Sequence, residues 1–135
     1  MNGTTKERLR TGARWLLAAT FVTTGALHFT AADTYLRVMP PYLPYPRALV
    51  AISGAAEIAG ALGVLVPGKM RRLAGAGLIL LLAAVFPANV HMALHPDQIT
   101  GLNIAPILLW LRLPLQAALI AWVYFATWGH SDPSS

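Results

Sequence analysis

The chain of 135 residues has no cysteine and little charge: Asp, Glu, Lys and Arg together make up 11%, against roughly 25% in ordinary soluble domains. The missing thiols exclude disulfides, thiolate catalysis and cysteine-ligated metals within this chain, so any thiol redox chemistry would belong to a partner protein. Acidic residues are the scarcer sign, five against ten basic ones, for a net charge of +5. That excess does not describe a nucleic-acid surface, because the basic residues sit at the ends of apolar segments and form no patch interleaved with aromatics. What remains is a chain that is 56% hydrophobic. It reads as a single integral membrane domain over residues 1–135 whose first partner is the lipid bilayer.

Four apolar segments stand out, at about 13–32, 48–66, 73–94 and 104–128. Each approaches the ~20 residues that a helix needs to cross a ~30 Å hydrocarbon layer. None alternates as a membrane strand would, so the expected fold class is all-α, a transmembrane four-helix bundle. The N-terminal "KERLRTGAR" before "WLLAATFV" has the look of a signal peptide, but the apolar run is long and no small-x-small cleavage site follows, so it reads as a retained first span. Lys6, Arg8, Arg10, Arg14, Lys69, Arg71 and Arg72 fall on one side of the membrane, against Arg37 and Arg47 on the other. The positive-inside rule then puts both termini and the "PGKMRR" loop in the cytoplasm, with "DTYLRVMPPYLPYPR" and "HPDQITGLN" facing outward.

Pro40, Pro41, Pro44 and Pro46 cannot lie inside a regular helix, so the loop around them is expected to be stiff and extended, a cap over the outer mouth or an interfacial anchor. Pro87 and Pro114 interrupt the third and fourth spans and free the carbonyls of Ala83 and Trp110.

Glu57 poses the sharpest question. It lies in "AISGAAEIAGALGVL", a segment otherwise almost wholly apolar, about ten residues from the outer end of the second span. Its helical neighbours Ser53, Gly54, Gly60 and Ala61 are small, so that face admits another helix and Glu57 points inward. Arg112 falls at a similar depth, with Gln116 one turn on along the same face. Asn89 and His91 lie in the outer third of the third span, and His28 in the outer part of the first. An unpaired charge at mid-membrane costs roughly 3 kcal/mol on insertion scales. The economical arrangement pairs Glu57 with Arg112, with Gln116, Asn89 and the freed carbonyls completing the hydrogen bonds. The pair would serve a ligand or proton site, or only fix which helix faces which. His91 and His95, four apart, could hold a transition metal with His28, but no third ligand is assured and Pro96 ends the helix.

These residues carry a family resemblance. "GALHF" (Gly25 to Phe29), "PPYLPYP" (Pro40 to Pro46), "SGAAEIAGALGVL" (Ser53 to Leu65), "FPANVHMAL" (Phe86 to Leu94) and "RLPLQAALIAWVY" (Arg112 to Tyr124) together resemble the DoxX-like family of small bacterial four-helix membrane proteins. The resemblance covers roughly residues 13–125, and His28, Glu57, Asn89, Arg112 and Gln116 match its recurrent pattern, whereas His91 does not. It implies a four-span bundle in the bacterial cytoplasmic (inner) membrane, linked, through relatives, to a quinol oxidase, to sulfur-compound oxidation and to oxidative-stress complexes.

Three functional readings follow. The first is an accessory or quinone-interacting subunit of a membrane redox system, with redox partner proteins and a quinone as the suggested ligand. The second is a small proton-coupled transporter or exporter. The third is an assembly scaffold whose ion pair is purely structural. The row Ala51, Ala55, Ala59 and Gly63 suits packing within the bundle or between copies in a homo-oligomer.

Overall fold

The computed structural model describes residues 3–98 and 105–128. Over these the chain is helical: α1 (Gly3–Thr30), α2 (Ala32–Val38), α3 (Pro46–Val64), α4 (Lys69–Leu94), a 3₁₀ turn (Pro96–Gln98) and α5 (Pro106–Thr127). Two of the long helices start on proline, whose missing amide is no loss in a first turn. α4 and α5 run through Pro87 and Pro114 without a break in assignment.

Three helices, α3, α4 and α5, are long and apolar enough to cross a membrane. α1 has the length, but Arg14, His28 and a series of threonines dilute its apolarity. Those threonines are locally satisfied. The hydroxyls of Thr20, Thr23 and Thr30 donate to the carbonyls of Leu16, Ala19 and Ala26 one turn back, which hides their polarity from an apolar surrounding.

α1 packs along α3, α3 against α4, and α4 against α5, while α5 touches α1 more lightly. The α1–α3 crossing is close because glycine faces glycine. A Cβ added at Gly54 would lie 2.8 Å from the Gly25 carbonyl oxygen, and one at Gly25 the same distance from the Gly54 oxygen. The main apolar core, with Leu17, Phe21, Ala61, Val64, Leu78 and Val123, fills the half of the molecule nearer the α3–α4 connection. Large apolar side chains such as Trp15, Ile52, Leu73, Leu80 and Leu115 cover the outside, the inverse of a water-facing surface.

Two arginines that read from the sequence as topology signals also tie off helix ends. Arg71 donates from Nε to the Val64 carbonyl at the end of α3 (2.8 Å), and Arg14, buried, donates from Nε to Ala126 near the end of α5 (2.9 Å). Trp122 Nε1 adds a bond to the Ala13 carbonyl at 3.2 Å, so α1 and α5 are joined at this end. Arg14→Met should therefore destabilise the protein by about 2 kcal/mol, the worth of a charged hydrogen bond to a buried carbonyl. A lower midpoint in thermal melting of detergent-solubilised protein is the measurement, and an unchanged midpoint would mean the clasp contributes nothing.

The proline-rich loop is turned, not extended. Leu43 N donates to the Pro40 carbonyl at 3.2 Å, which places Pro41 at the position where its fixed φ favours a β-turn. Tyr45, squeezed between two prolines, takes a left-handed conformation at φ 49° before α3 begins, a cost of about 1 kcal/mol for a non-glycine residue. α2 departs from the outer loop expected there: "DTYLRV" forms two turns of helix because no proline or glycine interrupts it before Pro40.

Candidate functional site

Away from the packed core the helices diverge around a cavity of about 430 Å³. Its walls come from α1, α2, the proline loop, α3, α4 and α5, with Met39, Pro40 and Leu43 supplying the loop's share. The loop, expected to be a cap or an interfacial anchor, forms part of the cavity wall.

Five of the six site residues expected from the sequence line this one space: His28, Glu57, Asn89, Arg112 and Gln116. His91 does not. Its ring stacks on His95 (centroids 4.4 Å apart) and meets Tyr42 edge-on at 5.0 Å. Among the described residues no three His, Asp or Glu side chains gather at metal-binding spacing, and His28 is engaged with Glu57 instead.

The glycine crossing explains that engagement. Bringing α1 against α3 at Gly25 and Gly54 sets Thr24 and His28 directly opposite Glu57. Thr24 Oγ1 donates to Glu57 Oε1 at 3.0 Å, and His28 Nδ1 lies 3.1 Å from Oε2 and 2.7 Å from the Thr24 carbonyl. Both neighbours of Nδ1 are acceptors, so Nδ1 carries the hydrogen and Nε2 is the ring's remaining position. The hydrogen is aligned on the Thr24 carbonyl. Oε2, though close, is buried without an aligned donor, an acceptor still available to a hydroxyl in the cavity. Tyr35 of α2 stacks on the other side of the imidazole at 4.1 Å. Burial pushes the Tyr35 hydroxyl above its usual range; the charge of Glu57 adds to this and that of Arg112 opposes it.

The expected Glu57–Arg112 pair is absent: no hydrogen bond or ion pair joins them. α5 packs against α4 and, lightly, α1, but makes no principal contact with α3, so the carboxylate on α3 meets α1 first. Asn89 and Gln116 do meet. Asn89 Nδ2 donates to Gln116 Oε1, and Gln116 Nε2 donates to the Leu82 carbonyl. Leu82 is next to Ala83, the carbonyl left without its usual donor by Pro87, so Gln116 works one residue from the expected break. Arg112 is exposed at the rim of the cavity, with the Met92 sulfur 3.9 Å from Nη1.

Sequence reasoning missed Thr24 and Tyr35. Thr24 had a faint signal, one turn before His28 on the same face. Tyr35 had none, since its position depends on α2 folding back over the site.

A family model described as "Domain of unknown function (DUF8561)" matches residues 17–127, most of the chain. The chain belongs to that family. The DUF8561 match includes every residue that lines the cavity, from Phe21 to Leu119. No curated protein and no solved structure matches the chain.

Proposed function

We propose that this DUF8561 protein crosses the bacterial inner membrane as a four-helix bundle with both termini in the cytoplasm. In the outer half of that bundle its cavity binds the head of a lipid-soluble quinone, as an accessory subunit of a membrane redox system. The DoxX-like resemblance of the motifs is part of the same proposal. The observation that carries it is the cavity: about 430 Å³, within the ~300–1,000 Å³ typical of small-molecule sites, mostly apolar with a few convergent polar groups. A ring of quinone size presents two oxygens across an apolar body. The cavity answers with the acceptor Glu57 Oε2, which takes a hydroxyl of the reduced, quinol form, and with donors from the Arg112 guanidinium for a ring oxygen. Seven basic residues near the N-terminus and the α3–α4 connection support the orientation, because basic residues are enriched in cytoplasmic loops.

The test is quinone binding to purified protein in detergent. The wild type should bind the reduced ring, and Glu57→Gln should weaken that binding about tenfold or more, the loss of the charged acceptor that a quinol hydroxyl meets. Wild type and mutant behaving alike toward quinone would sink the proposal. A scaffold role would instead leave the cavity mutants active so long as they fold.

A further inference from the structure

Among the described residues Arg112 is a cavity-lining charge with no ion-pair partner. Glu57 is taken by Thr24 and His28, Asn89 and Gln116 bond to one another, and among the described residues the only hydrogen-bond contact of Arg112 is the Met92 thioether at 3.9 Å. Sulfur of that kind is a weak acceptor and carries no charge, whereas a guanidinium offers five donors in a planar fork suited to an oxyanion. Arg112 also stands at the rim of the cavity, one turn from Leu115, which is 58% exposed. A molecule in the cavity therefore meets the guanidinium, while Leu81, Val85 and Leu119 line the apolar remainder. The Glu57 carboxylate, also in the lining, would repel a negative charge placed beside it, so an anionic group is favoured at Arg112.

We infer that Arg112 anchors an anionic oxygen on the ligand, so that among quinone-class molecules the site selects those with an ionised ring hydroxyl, held with the anionic oxygen at the guanidinium. This rests on the reading of the cavity as a quinone site and adds the charge state and orientation of the occupant. The same guanidinium chemistry would also suit the phosphate of a bilayer lipid, and the experiment separates the two sources.

The probe is a hydroxynaphthoquinone that is ionised at neutral pH, compared with the same ring lacking the hydroxyl. Binding is titrated in dodecyl maltoside, which contains no phosphate, and again in phosphatidylcholine nanodiscs. The wild type should prefer the ionised ring by about tenfold in both media, consistent with a charge-assisted hydrogen bond. Arg112→Gln should erase the preference and Arg112→Lys keep part of it. Equal affinity of the wild type for the two rings would overturn the inference and leave the cavity reading standing; failure of both rings to bind would overturn both. A preference that survives Arg112→Gln, or one seen in maltoside and lost in nanodiscs because lipid phosphate already holds the guanidinium, would also overturn it. The wild-type comparison decides the matter even if a variant fails to fold.

Discussion

Gly54→Val should leave little folded protein. An added Cβ at this position would lie 2.6 Å from the Cβ of His28 and 2.8 Å from the backbone oxygen of Gly25, separations that side-chain rotation does not relieve. α1 would have to move away from α3 along the crossing that holds Thr24 and His28 against Glu57. Overpacking of a tight core typically costs about 1–3 kcal/mol, and a clash with backbone belongs at or beyond the upper end of that range. The same displacement would separate His28 from the carboxylate, so any folded remainder should also lose ligand binding. Gly77→Val is the matched control, because nothing lies within 4 Å of a Cβ built there. Size-exclusion profiles and melting curves in detergent check the contrast. If the two variants melt together, α1 and α3 do not cross as closely as described.

Gln116→Leu is the second large effect expected. Gln116 is buried at 3% exposure and satisfies two groups at once, the amide of Asn89 and the carbonyl of Leu82. Leucine in its place strands the Asn89 amide and removes a second donor to the Leu82 carbonyl, whose helical partner is the Phe86 amide. A buried unsatisfied group costs about 1–3 kcal/mol, and a loss of that size is expected. Adding Asn89→Leu removes the stranded amide, and the double variant should recover part of the loss. Such coupling between neighbours is what a double-mutant cycle measures. Costs for Asn89→Leu and Gln116→Leu that simply add would mean the two side chains do not interact.

Several features were legible without coordinates, for physical reasons that act locally. Three apolar stretches at about 48–66, 73–94 and 104–128 became α3, α4 and α5 to within a few residues, because length and apolarity are properties of the segment alone. The gathering of His28, Glu57, Asn89, Arg112 and Gln116 could also be anticipated, since polar groups in an apolar chain are driven toward one another. The small residues flanking Glu57 correctly marked its face as one that another helix could approach.

What the sequence by itself determined is therefore an all-helical chain with membrane-length segments and a set of polar residues that must share one place. Which of them touch was decided only by the tertiary structure. Complementary charge suggested Glu57 with Arg112, but helix adjacency overrode charge. The Gly25–Gly54 contact gives Glu57 to His28 and Thr24 on α1, and the α4–α5 packing gives Gln116 to Asn89 and Leu82. Tyr35 joins the site only because α2 returns over it, and His91 leaves it for Tyr42 and His95. Hydrogen bonds and ion pairs act over a few ångströms, so their partners are fixed by which helices pack together, and that choice depends on shape complementarity summed along whole helices. Arg112 is the residue that this choice leaves facing the cavity without a protein counter-charge among the described residues.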